Sequence, residues 1–333
     1  MQMQHYTLAE LEPQVEGLRA RLNSLRGHLS RYFVNKEEVI DLMVVCALAQ
    51  EPLLLVGPPG TAKSDLIIKF VQALGLGEEE YFEYMLTKFT EPSEILGPVD
   101  INRLKEGSYI RRVEGKLPTC KVAFLDEIFK SNSAILNTLL TIINERKFYQ
   151  DGRPEPVDLR VLFAATNEIP ELAELGALRD RFTMKIESAP VMDSHFEELI
   201  DLGLSNESYK AFNQRPWANI ASLDDFLKLR AYLNLIMSQG EGGSAKGDRE
   251  RYFPAPVYLL FKRIISALQR EEALEISDRK VIKLYKLIRT RAFWFHGGVV
   301  TKDDLCLLRY LPDRVQDFAP IRAKVDSILK LEV

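Results

Sequence analysis

Cysteine and histidine are scarce in this chain, and no long uninterrupted apolar run occurs. Three cysteines, Cys46, Cys120 and Cys306, and four histidines are spread through 333 residues. None falls into a CxxC or Cys/His pair, which argues against a disulfide framework or a zinc site. The thiols read instead as small buried hydrophobes. The most apolar stretch, residues 42–56, is broken by Gln50, Glu51 and Pro52 and is too short to cross a bilayer. No basic segment leads into an apolar run near the first residues, so a signal peptide is not expected and the expected location is cytoplasmic. Positive charge is not in excess either. The net charge is −4, so no whole-protein field favours nucleic acid, although a local basic patch stays compatible with that figure.

What is present is an ordinary apolar fraction, 46%, in a chain long enough for about two domains. Leucines at 11, 18, 22, 25 and 29 recur at helical spacing and predict an amphipathic helix over residues 8–32. A second helix is expected over 36–49. Short apolar strands are then expected at 53–56, 82–87, 122–125, 161–165 and 183–186, with helices at 63–74 and 134–145 between them. Four-residue apolar runs of this kind suit strands buried on both faces, and their alternation with helices predicts a parallel sheet covered by helices. Beyond residue 190 helical periodicity takes over. The expected division is an α/β domain over 1–190 and an all-helical domain over 191–333. The glycine-rich stretch 239–248 reads as a flexible loop.

Residues 57–64 read Gly57-Pro58-Pro59-Gly60-Thr61-Ala62-Lys63-Ser64, between an expected strand and an expected helix. That context suits a phosphate-binding loop. Backbone N–H groups would point at phosphates, and the following helix would add the positive end of its dipole. Lys63 would reach the β- and γ-phosphates and Ser64 would offer its hydroxyl to Mg²⁺. Ala62 stands where glycine is usual. A methyl is tolerated there if the backbone is helical, since only a positive φ demands glycine. Farther on, the apolar run 122–125 ends in Asp126-Glu127, placing two acids at the carboxyl end of a strand, where open α/β sheets bind ligands. Asp126 is expected to hold Mg²⁺ and Glu127 to polarise an attacking water.

The run 57–64 with Phe124-Leu125-Asp126-Glu127-Ile128 resembles AAA+ ATPases. Residues 89–98, 134–146, 164–170 and 277–280 extend that resemblance to the MoxR family, especially its RavA-like branch. It implies an α/β P-loop AAA+ core with a parallel sheet between helices, plus a C-terminal all-helical lid. It also implies ATP and Mg²⁺ as cofactors, a γ-phosphate-sensing role for Asn167, and a trans-acting arginine finger at Arg181, with Arg179 as second candidate. Arg279, at the start of an expected helix capped by Ser277, becomes a lid arginine that contacts nucleotide. Two β-hairpin insertions are expected, near 101–120 and 147–160, the second turning at Asp151-Gly152. Lys105, Arg111, Arg112, Lys116 and Lys121 make the first one locally basic.

The function implied is ATP hydrolysis in a homo-oligomeric ring, a hexamer, that remodels, activates or matures a partner protein. A von Willebrand factor A domain protein is the first candidate partner. Nucleic acid and a membrane span are not expected. The alternatives are a nucleic-acid-associated motor or translocase subunit and a nucleotide-gated scaffold with little turnover.

Overall fold

A computed structural model describes residues 6–238 and 245–331. By packing, these fall into two compact units. One joins residues 1–32 and 36–49 to 220–333, and the other holds 33–35 and 50–219. The expected cut at residue 190 is therefore not where the packing divides. The two N-terminal helices group with the C-terminal helices, and the helix Phe196–Ala211 groups with the sheet.

The sheet unit is built on five parallel strands: β1 (Leu53–Val56), β2 (Tyr81–Met85), β3 (Val122–Asp126), β6 (Val161–Thr166) and β7 (Met184–Glu187). Their order is β2-β3-β6-β1-β7. Every residue of β1 and β6 is buried, as are the first four of β3, and each large apolar side chain so buried contributes about 1.5–3 kcal/mol. The register pairs Val56 with Thr166 and Leu125 with Ala164. The carboxyl ends of β1, β6 and β3 thus lie along one edge, and the next residue in each case is Gly57, Asn167 and Glu127. The helix Lys63–Ala73 packs on β3 and β6, with Phe70 edge-on to Phe163 at 5.2 Å.

The insertion at 147–160 is a hairpin, as expected. β4 (Lys147–Gln150) pairs antiparallel with β5 (Arg153–Pro156). Asp151 and Gly152 turn at φ 48° and 73°, the paired left-handed geometry that matches strand twist. The insertion at 101–120 is not a strand hairpin. Residues Ile101–Lys105 form a helix capped by Asp100, whose carboxylate accepts from Asn102 N and Arg103 N. One antiparallel bridge, Val99 with Arg111, closes the loop. The Asp100 cap satisfies helix-start N–H groups locally, which takes residues 101–105 out of any strand. Tyr109 and Arg111 then dock on the hairpin tip: Tyr109 N donates to Asp151 Oδ1 (3.1 Å), and Arg111 N donates to Gln150 Oε1 (2.6 Å).

In the helical unit, the single helix expected over 8–32 is divided. A first turn, Leu8–Leu11, passes through a tight turn at Glu12–Gln14 into the helix Val15–Leu29. Pro13 lacks the N–H that a continuous helix would use. The predicted leucines are nevertheless all buried. The helix Val15–Leu29 packs on Leu223–Ser238, and Glu37–Ala49 packs on Asp278–His296. Of the loop expected at 239–248, residues 239–244 lie outside the described residues, and Ala245–Tyr252 is helical. Among the described residues no helix is long and apolar enough to cross a membrane.

Candidate nucleotide site

The loop after β1 is tied at both sides. Gly57 N donates to Thr166 O (3.2 Å), and Ser188 N, just after β7, donates to Val56 O (2.7 Å). Ser188 Oγ donates to Thr61 O (2.8 Å), and Thr61 Oγ1 donates to Pro58 O (2.9 Å). A Cβ on Gly57 would stand 2.5 Å from Ser188 O, so glycine is needed there for close backbone approach. Ala62 has φ 64° and ψ 19°. The condition under which its methyl was expected to be harmless is not met: it occupies the left-handed region, at a cost of about 1–2 kcal/mol.

Lys63 opens the helix Lys63–Ala73 and is 7% exposed. Its ammonium donates to Gly57 O (2.6 Å), Pro58 O (2.9 Å) and Asn167 Oδ1 (3.3 Å). Burial lowers its pKa from the ordinary lysine value, while the Asp126 and Glu127 carboxylates act in the opposite sense. A cation held by carbonyls and an amide, with carboxylates nearby, is poised to donate to phosphate oxygens.

Ser64 Oγ donates to Asp126 Oδ2 at 3.3 Å. That spacing suits Mg²⁺, whose adjacent oxygen ligands in an octahedron at 2.0–2.1 Å stand roughly 3 Å apart. A hydroxyl and a carboxylate are also the hard oxygen donors that ion selects, with phosphate oxygens completing its shell. Asp126 Oδ1 accepts from Glu127 N (2.9 Å), which fixes the carboxylate's rotation.

Glu127 is 9% exposed and adopts φ 52°, ψ 44°, a strained backbone for a non-glycine residue. Its Oε1 accepts from Asn167 Nδ2 at 2.5 Å and lies 3.2 Å from Lys130 Nζ. The structure therefore brings Lys63, Ser64, Asp126, Glu127 and Asn167 into one connected set. Lys130 was missed in the sequence. The signal was its spacing, three residues after the glutamate on a turn.

The arginines separate. Arg179 Nη1 donates to Pro170 O (2.8 Å), whereas Arg181 Nε is buried without a hydrogen-bond partner. Among the described residues no hydrogen bond or ion pair joins either one to Lys63, Asp126, Glu127 or Asn167. Arg279 is an exposed residue of the helix Asp278–His296 in the other unit, where Ser277 Oγ accepts from Lys280 N (3.3 Å).

The parallel sheet flanked by helices, the glycine-proline loop at the edge of β1 and the C-terminal helical domain define an α/β P-loop fold of the AAA+ ATPase class. Residues 20–229 match the family described as the MoxR domain in the MoxR-vWA-beta-propeller ternary systems, and residues 257–320 match the AAA lid domain. The chain belongs to the MoxR family of AAA+ ATPases. It is 35% identical over 293 residues to an uncharacterised protein of Methanocaldococcus jannaschii, covering 87% of this chain and 70% of that one. It is 25% identical over 225 residues to the chaperone MoxR1 of Mycobacterium tuberculosis, covering 65% of this chain and 55% of that one. A crystal structure of a Cytophaga hutchinsonii protein, provisionally assigned as an ATPase, superimposes with a TM-score of 0.69 over 97% of each chain at 18% identity, a likeness of fold.

Proposed function

We propose that this chain binds Mg²⁺-ATP at the edge of β1, β3 and β6 and hydrolyses it to ADP and phosphate. The observation that carries this reading is the hydrogen-bonded set running from Lys63 through Asn167 to Glu127, with the Ser64–Asp126 pair beside it. In this reading residues 57–62 wrap the phosphates with backbone N–H groups. Lys63 leaves the carbonyls of Gly57 and Pro58 for phosphate oxygens. Ser64 and Asp126 hold Mg²⁺, which would neutralise phosphate charge. Glu127 takes a proton from the attacking water, and Asn167 senses the γ-phosphate. Lys63→Ala is expected to abolish ATP binding. Glu127→Gln is expected to keep binding and to lose turnover by about 100-fold or more. Comparable phosphate release in Glu127→Gln and wild type would remove the assignment.

The output we infer is mechanical: a cytoplasmic homo-oligomeric ring, a hexamer, in which Arg181 of one subunit completes its neighbour's site and Arg279 closes the lid on the nucleotide. Arg179 is the weaker finger candidate, because its guanidinium is already tied to Pro170 O. The client we infer is a von Willebrand factor A domain protein, which the description of the matching family supports. The RavA-like branch rests on the sequence resemblance alone. A nucleic-acid motor is disfavoured by the first insertion, where Arg112 pairs with Asp100, Lys121 with Glu80, and Arg111 binds Gly97 O and Tyr109.

A further inference from the structure

Glu127 has two partners on the same oxygen. Asn167 Nδ2 donates to Oε1 at 2.5 Å, and Lys130 Nζ lies 3.2 Å from that atom. The second contact is built into the local backbone. Residues Ile128–Lys130 form a tight 3₁₀ turn, closed by Lys130 N donating to Glu127 O (2.8 Å). In such a turn side chains three apart eclipse, so Lys130 is brought over Glu127. Ile128 and Phe129 are buried and anchor the turn, while the Lys130 side chain remains 54% exposed.

The two partners have different prospects once nucleotide is bound. Asn167 also accepts from Lys63 Nζ (3.3 Å), so it belongs to the chain of contacts that a triphosphate would rearrange. Lys130 has no such competing attachment among the described residues. When Asn167 turns to the γ-phosphate, the carboxylate would lose its shorter contact. A carboxylate at the end of three rotatable bonds would then have no fixed direction, unless a second donor holds one oxygen.

We propose that Lys130 is a positioning residue for the attacking water: it holds Oε1 of Glu127 and leaves Oε2 directed at the nucleophile. The proposal rests on the reading of Glu127 as the water-polarising residue. Lys130 touches neither nucleotide nor water and acts through the carboxylate alone.

The test compares Lys130→Met and Lys130→Arg with wild type and with Glu127→Gln, each measured for steady-state phosphate release and for affinity towards a fluorescent ATP analogue. Lys130→Met is expected to lower kcat about tenfold or more, since misplacing a reacting group by about 1 Å can cost roughly 100-fold, with KM for ATP unchanged. Analogue affinity should stay within about threefold of wild type, because among the described residues the Lys130 ammonium pairs with Glu127 alone. Lys130→Arg, which keeps a cation at the same reach, should restore most of the rate. In the Glu127→Gln background, Lys130→Met should have no further effect on residual turnover, as expected of residues acting as a unit. A kcat for Lys130→Met equal to wild type would overturn the proposal and leave an exposed ion pair of no consequence. So would an additive loss in the double variant, or an equal loss in Lys130→Arg. If Glu127→Gln itself turns over like wild type, the underlying reading fails instead, and the two failures are distinguishable.

Discussion

At the scale of single residues, two positions of the candidate site carry an unusual backbone. Ala62 and Glu127 both lie in the left-handed region, at φ 64° and 52°, and each adjoins a charged group of the candidate site. For Ala62 the strain has a simple test. Glycine at this position is expected to raise stability by about 0.5–1 kcal/mol despite its freer unfolded chain, because alanine is disfavoured at positive φ. The midpoint of thermal unfolding of Ala62→Gly against wild type measures it, and a lowered midpoint would contradict the backbone assignment. Most of the site's residues were legible in the sequence. Lys63-Ser64 and Asp126-Glu127 each follow an apolar run, and a run of that kind ends where a buried strand ends. The φ of Ala62 was not legible, because it depends on Thr61 and the loop being held by Ser188, more than a hundred residues away. Lys130 was hidden because lysines on turns are ordinarily solvated.

At the scale of elements, short caps decide where pattern is ambiguous. Gly97 follows the helix Pro92–Leu96 at φ 93°, and a Cβ there would stand 1.7 Å from Arg112 O. The same backbone carries Arg112 N donating to Pro98 O (2.9 Å) and Arg111 Nη1 donating to Gly97 O (2.9 Å). Gly97→Ala is therefore expected to displace residues 98–112 and to cost about 2 kcal/mol. Faster proteolysis within 98–112 and a lower unfolding midpoint would register it, whereas unchanged values would refute the close approach. This segment is also where the sequence misled, since residues 101–120 read as a hairpin. The docking of Tyr109 on Asp151 brings together residues 42 apart, and no local pattern announces that.

A second element carries a pH dependence. Asp225, in the first turn of the helix Leu223–Ser238, accepts from Ser222 N (2.9 Å), and its own N–H bonds Ser222 Oγ (3.2 Å). Arg21 Nε and Nη2 donate to its Oδ1 at 3.0 and 2.7 Å. Burial raises the Asp225 pKa, but the hydrogen bonds from Arg21 and Ser222 outweigh it, and the net pKa is below the ordinary aspartate value. A depressed carboxylate stabilises the fold above its unfolded pKa, near 3.9, and that stability is lost as pH falls through the folded pKa. Asp225→Asn should then cost about 1–2 kcal/mol near neutral pH, a difference that shrinks as the pH is lowered below about 4. Chemical denaturation across that range measures it. A difference that does not vary with pH would contradict the charge-based account.

At the scale of the whole molecule, the fold class was legible, but the packing division was not. Hydrophobic periodicity identifies a helix and its buried face without saying which core receives that face. The N-terminal leucines at 18, 22, 25 and 29 accordingly gave the right buried stripe and the wrong neighbours. Arg181→Ala is expected to lose turnover by about 10³-fold. Mixing it with Lys63→Ala subunits should restore part of the rate, because one subunit would supply the arginine and the other the intact loop. Mixed oligomers that show no recovery would count against action across an interface.

In the proposed function, side chains from three strand ends serve one nucleotide. The most direct measurement is a crystal structure of Glu127→Gln soaked with Mg²⁺ and ATP. A single triphosphate is expected, with Lys63 Nζ on its β- and γ-oxygens, Mg²⁺ between Ser64 and Asp126, and Asn167 within hydrogen-bond reach of the γ-phosphate. A nucleotide bound elsewhere, or one that Lys63 and Asp126 do not share, would contradict it.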